Sequence, residues 1–109
     1  MNLVDKIRAY LRGRRVKRLV SAVCRGKLSK VEALLKKRPE LICTKDAQGM
    51  TPLHWASMAH NKEITEFLVK RGAALDALDD LFGATPLVLA VARGLKPQVE
   101  ILLDRKSVV

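Results

Sequence analysis

"DAQGMTPLHWASMAHNKEITEFLVKRGAAL", residues 46–75, laid over "DLFGATPLVLAVARGLKPQVEILLDRKSVV", residues 80–109, is identical at ten of thirty positions with an offset of 34. About two identities are expected of unrelated stretches when each residue type recurs at roughly 5–10%. The shared residues include Asp46/Asp80, Gly49/Gly83, Thr51/Thr85, Pro52/Pro86, Leu53/Leu87, Ala56/Ala90, Glu66/Glu100 and Leu68/Leu102. One more step back finds a fainter copy, in which Leu19, Ala22, Glu32, Leu34 and Lys36 face Leu53, Ala56, Glu66, Leu68 and Lys70. Self-similarity at such a period marks a stack of repeats. The expected units are 16–45, 46–79 and 80–109, behind an extension over 1–15.

Each copy spells the same local structure. Thr51 and Thr85 are N-caps, and Pro52 and Pro86 follow at the helical position that has no amide to lose. A short helix starts there, with Leu53, Ala56 and Trp55 on its apolar side. A second helix runs from about Glu63 to Arg71, carrying Ile64, Phe67 and Leu68 at i, i+3, i+4; its counterpart runs from about Pro97 to Arg105 with Val99, Leu102 and Leu103. Gly72 is the expected left-handed stop. A helix pair this small cannot bury its own apolar face, so the copies must stack.

"DAQGMTPLHWA" followed by "EITEFLVKRGAALDA" resembles the ankyrin repeat, whose pattern is Asp-x-x-Gly-x-Thr-Pro-Leu-His-x-Ala with a later Gly-Ala-Asp. The resemblance implies an all-α solenoid of antiparallel helix pairs joined by β-hairpin fingers, with partners held by finger tips and inner helices. It also implies that His54 bonds the neighbouring Thr51 and adjacent backbone, so that Thr51, Pro52, Leu53, His54, Thr85, Pro86 and Leu87 are structural. Departures from the pattern are local. The first repeat has Lys17, Arg18, Leu19 and Val20 where the motif would stand, as a capping copy would. His60 and Asn61 replace the usual Gly-His, Val88 replaces the motif histidine, and Lys106 and Ser107 stand where Gly-Ala belongs.

Composition narrows the function classes. The chain has 109 residues, one small domain, too short for a deep enclosed pocket. Its two cysteines, Cys24 and Cys43, make neither a disulfide framework nor a zinc motif, and read as buried free thiols in a reducing compartment. No apolar run reaches membrane-span or signal-peptide length, so a cytoplasmic or nuclear location is expected. His54 and His60 lack metal-ligand spacing, and no phosphate loop or nucleophile motif appears. No enzyme, metal or cofactor is expected.

Charge is divided unevenly: residues 1–45 carry a net +11, residues 46–109 a net −1. In "NLVDKIRAYLRGRRVKR", Leu3, Ile7, Tyr10 and Leu11 share a helical face, and Gly13 is expected to break the run. The basic residues Lys6, Arg8, Arg12, Arg14, Arg15, Lys17 and Arg18 admit three readings: a solvated cap across the first repeat, a nuclear-import or nucleic-acid patch, or a contact with anionic membrane.

The fingers raise the remaining question. "DLFG" carries Leu81 and Phe82 at the tip of a turn where solvated residues are the rule. Together with Met50 on the preceding finger and Met58 near the end of the second inner helix, they are expected to form an adaptable apolar strip on the concave side. Arg25 and Arg93, at the ends of inner helices, would orient a protein partner. The third repeat ends on Leu102, Leu103, Val108 and Val109 without a polar cap, which implies self-association, a covering partner or a longer array. The final Ser-Val-Val also resembles a PDZ ligand.

Overall fold

The computed structural model describes residues 2–107, the side chains of 105–107 excepted; Val108, Val109 and the Ser-Val-Val reading lie outside the described residues. Six α-helices follow in order, α1 Leu3–Cys24, α2 Leu28–Lys37, α3 Pro52–Met58, α4 Lys62–Lys70, α5 Pro86–Ala92 and α6 Lys96–Ser107, with a 3₁₀ turn at Pro39–Cys43. The helices pack as two layers: α3 lies between α1 and α5, and α4 contacts both α2 and α6.

Two expectations about the backbone are corrected. No strand is present among the described residues. The fingers are turns, the second closed by Asp46 N–H to the Met50 carbonyl at 2.9 Å and Gly49 N–H to the Asp46 carbonyl at 3.0 Å, the third by Asp79 N–H to the Ala84 carbonyl at 3.0 Å. Nor does Gly13 break the front segment, since α1 runs unbroken for 22 residues, about 33 Å at 1.5 Å per residue. A lone glycine costs a helix only about 1 kcal/mol. The Asn2 side chain caps the helix by accepting from the Asp5 amide, while Val16, Leu19, Ala22 and Val23 are buried at its other end. Anchorage at the C-terminal half thus carries the extension along with it, and residues 3–15 are continuous with the first repeat.

One core joins the repeats. It contains Leu19, Leu35, Leu53, Ile64, Leu68 and Leu102, all essentially fully buried, with Ala56 and Ala90 at the close approaches. Each such large apolar side chain contributes roughly 1.5–3 kcal/mol. Leu34 and Leu87 are only half-buried at its margin. Gln98 is buried and donates its amide to the Ala59 carbonyl, tying α6 to the turn after α3.

The turns within the repeats show how one substitution is absorbed. Gly26 and Gly94 take left-handed φ of 71° and 68° after α1 and α5. His60 stands at the equivalent position in the second repeat, where a side chain would be strained. The chain there avoids the left-handed region: Ala59 is extended, and Asn61 caps α4 by accepting from the Glu63 and Ile64 amides. Gly72 closes α4 at φ 88°, as expected. Cys24 and Cys43 are exposed, not buried. Partial burial of the Cys24 thiol, and then the charge of Asp46, push its pKa up.

Candidate partner-binding surface

An aspartate holds each finger from within, but not the one that the offset of 34 pairs. In the second finger the Asp46 Oδ1 accepts from the Gln48 and Met50 amides, and its Oδ2 accepts from the Trp55 indole at 2.7 Å. In the third, it is Asp79 whose Oδ1 accepts from the Phe82 and Gly83 amides at 2.6 and 3.1 Å. From its aspartate to its threonine, the third finger is therefore one residue longer, and Asp80 is the surplus. Asp79 is 4% exposed, and its Oδ2 is buried without a hydrogen-bond partner among the described residues. The Phe82 amide holds its pKa below the usual aspartate value, against the opposing effect of burial and with help from the Ala84 and Gly83 amides and His54.

Asp80, displaced outward, lies over the preceding finger. A Cβ on Gly49 would collide with its carboxyl group. Lys45 reaches Asp80 at 3.4 Å and donates to the Leu78 carbonyl at 2.8 Å. The ion pair itself is exposed and contributes only about 0–1 kcal/mol, so its role is to fix one finger against the next. Neither Lys45 nor Asp79 stood out in the sequence; the Asp79-Asp80 doublet was the available signal.

The longer finger displays an apolar tip. Phe82 is 80% exposed and Leu81 65%, and Leu78 at the base of the turn is also exposed. Met50 does not join them: it is 6% exposed and packs with Ala84 and Leu89 beneath the third finger, with Trp55 and Met58 against them. The expected strip is corrected to Leu78, Leu81 and Phe82, because the residue before the Thr51 cap points into the gap between successive fingers. Arg25 and Arg93 are exposed C-caps of α1 and α5, where cations complement the helix dipole.

His54 is fully buried and spans two repeats. Its Nδ1 accepts from the Thr51 amide at 3.1 Å, which leaves Nε2 to donate to the Ala84 carbonyl at 2.9 Å. Thr51 Oγ1 accepts in turn from the His54 amide, and Thr85 Oγ1 from the Val88 amide. Pro52 and Pro86 are buried at the helix starts, with Leu53 and Leu87 beside them.

The basic residues separate into groups along α1. Arg8, Arg12 and Arg15 join Arg38 around a depression of about 360 Å³ that also contains Glu40. Arg14 lies 6.0 Å from the Tyr10 ring centroid, and Lys6 is exposed. Lys17 and Arg18 join Arg25, Lys27 and Lys30 around another depression of about 460 Å³. Leu3, Ile7, Tyr10 and Leu11 are exposed. No helix among the described residues is long and apolar enough to cross a membrane.

A family model of ankyrin repeats, in three copies, matches residues 19–109. The chain is 36% identical over 89 residues to the probable 26S proteasome regulatory subunit p28 of Saccharomyces cerevisiae, covering 80% of this chain and 39% of that protein. It is 39% identical over 80 residues to the ankyrin repeat protein nuc-2 of Neurospora crassa, covering 72% of this chain and 7% of that one. A third relative, the transient receptor potential cation channel subfamily A member 1 of Drosophila melanogaster, is 44% identical over 69 residues, 63% of this chain and 6% of the channel. The chain thus spans well under half the length of these relatives.

Proposed function

This chain belongs to the ankyrin-repeat family, and on that premise we propose that it is a non-catalytic adaptor that grips a protein partner with its third finger. Ankyrin repeats bind other proteins, and their specificity lies in surface residues that the fold leaves free. The observation that carries this reading is the tip: Leu78, Leu81 and Phe82 are exposed on a turn whose backbone is hydrogen-bonded to Asp79 and Lys45. These apolar groups add nothing to the core. A mount that is already ordered loses little conformational freedom on binding. Met58, Arg25 and Arg93 would lie at the margin of the contact. The place of action in this reading is the cytoplasm or nucleus.

The test is affinity capture with the parent protein beside a Leu81→Ala, Phe82→Ala form, followed by titration of whatever the parent retains. Central apolar anchors cost about 2 kcal/mol or more on truncation, roughly thirtyfold in affinity. Loss of that size, with unchanged helical content, supports the finger; unchanged affinity refutes it.

A second reading rests on the first half of α1, where the exposed Leu3, Ile7, Tyr10 and Leu11 lie among Lys6, Arg8 and Arg12. Such a helix suits a nucleic-acid or anionic membrane surface. Reversing those three charges would then abolish binding, whereas under the finger reading it alters only the salt dependence. The third repeat also exposes Val88, Val91 and Leu103, and weak self-association through this apolar end belongs to the same proposal.

A further inference from the structure

Two depressions adjoin along α1. The first, about 460 Å³, is lined by Lys17, Arg18, Arg25, Lys27 and Lys30 with the hydroxyls of Ser21 and Ser29, and by no acidic residue. The second, about 300 Å³, is lined by Val20, Trp55, Asp46, Ala47 and Gln48. Lys17 and Ser21 line both, so a cationic recess and an apolar trough adjoin on either side of that pair.

None of the five cations forms an ion pair among the described residues. The one acid in the trough, Asp46, has both oxygens committed: Oδ1 accepts from the Gln48 and Met50 amides, and Oδ2 from the Trp55 indole. That last bond also fixes the half-buried indole, leaving part of the ring as a wall of the trough. The combination asks for a ligand with negative charge at one end and an apolar side chain at the other. Phosphate alone would fill the recess and leave the trough empty.

We propose that this trough takes an acidic segment of a partner protein, whose apolar side chain lodges between Val20 and Trp55 while its carboxylates meet Lys17, Arg18, Arg25, Lys27 and Lys30. The inference rests on the protein-binding reading but uses a surface other than the third finger, with Arg25 alone common to the two. The lysines and arginines attract and orient the segment, and the trough discriminates among acidic sequences. A single strand of nucleic acid, stacking a base on Trp55, is the competing occupant.

Trp55 is the one tryptophan of the chain, so its emission reports directly on occupancy. The probes are a short synthetic peptide of Glu and Asp with two central Leu, its Ser-for-Leu version, and oligothymidylate; a fluorescent label on the peptide gives a second readout by anisotropy. The acidic Leu peptide should produce a saturable change in emission, weakened but not abolished by about 0.5 M salt. The Ser version should bind at least about tenfold more weakly, the loss of one well-placed apolar anchor. Lys17→Glu with Arg25→Glu should weaken the Leu peptide by about tenfold or more, because like charges then face each other; all these residues are exposed, and Lys27→Glu with Lys30→Glu repeats the test on a second pair.

No saturable change up to about 1 mM peptide, a floor for specific affinity, would overturn the inference. So would equal binding of the Ser version, which would reduce the site to an anion trap, or tighter binding of oligothymidylate. The two surfaces fail separately. If the peptide does not bind while the Leu81→Ala, Phe82→Ala form loses its captured partner, this inference falls and the finger reading stands. If the peptide binds and the finger variant loses nothing, the reverse holds.

Discussion

Replacing His54 by alanine removes the polar bridge between the second and third repeats, and the structure sets the size of the loss. The imidazole accepts from the Thr51 amide and donates to the Ala84 carbonyl, 30 residues away, with no exposed surface. In His54→Ala the Thr51 amide and the Ala84 carbonyl are left buried without that partner. The Thr51 amide is orphaned at about 1–3 kcal/mol, whereas the Ala84 carbonyl keeps the Asp79 amide and loses one hydrogen bond of about 0.5–1.5 kcal/mol, so the two together amount to about 1.5–4.5 kcal/mol, against a total stability of about 5–15 kcal/mol for a domain of this kind. Urea denaturation followed by circular dichroism reads it. With a slope of about 1–3 kcal/mol per M, a loss near 3 kcal/mol moves the midpoint by about 1–3 M.

Two conservative variants divide the effect. His54→Gln can place an amide nitrogen near the Ala84 carbonyl but offers nothing at Nδ1, whereas His54→Asn keeps an acceptor for Thr51 and cannot reach across. If the brace between repeats is the larger part, Asn behaves like Ala and Gln is milder. A weakened junction also lets the third repeat open alone, since coupling in a solenoid is between neighbours, and the slope of the transition should fall. A midpoint within about 0.3 M of the parent for His54→Ala would refute the reasoning, because a loss so small is what a surface substitution produces.

Three further outcomes follow from the fingers and the end of the stack. Asp79 has a lowered pKa in the folded protein, so its stabilising effect is full above the ordinary aspartate value of 3.8 and is lost as pH falls below it towards the folded value; thermal melts across that range should show an acid limb that Asp79→Asn flattens, and an unchanged limb would remove Asp79 as its source. Gly49→Ala places a side chain at φ 74° against the Asp80 carboxyl and should cost about 1 kcal/mol or more by urea denaturation, whereas Gly13→Ala, with open space around it, should be neutral or gain up to about 1 kcal/mol. Val88 and Val91 are exposed on α5, so the parent's weight-average mass by light scattering should rise with concentration, and Val88→Lys with Val91→Lys should hold it at the monomer value; a clean monomer in the parent would end the self-association proposal.

The repeat and its helices were legible because both are local. Thr-Pro marks a helix start, and i, i+3, i+4 spacing marks a buried face, with observed limits within a residue or two of those read for α4 and α6. Burial at the fingers was not legible, because it depends on the neighbouring repeat. Met50 looks like a tip residue in its own finger and becomes core only when Ala84 and Leu89 close over it. Gly13 looked like a stop because propensity is all the sequence offers there, while the anchorage of α1 through Val16 and Leu19 comes from packing against later elements. Cys24 and Cys43 were misread for the converse reason: small apolar character permits burial but does not require it.

The Asp79-Asp80 doublet shows how a repeat acquires a surface of its own. An offset of 34 keeps Gly83, Thr85 and Pro86 in register and assigns the finger to Asp80 by identity alone. The hydrogen bonds reassign it to Asp79, so the repeat frame tolerates the surplus residue by letting the turn bulge outward. That bulge does two things at once. It carries Leu81 and Phe82 away from the core, where they no longer stabilise the fold, and it brings Asp80 over Gly49 and within reach of Lys45 on the repeat before. The same residue that exposes the tip thereby fixes its mount. An insertion that only lengthened the loop would have given a mobile apolar tip, costly to order on binding and prone to nonspecific contact. An insertion that also brings a carboxylate to a lysine of the preceding finger adds a contact at the base of the tip, and every contact already made in the free protein lowers the ordering left to be done on binding.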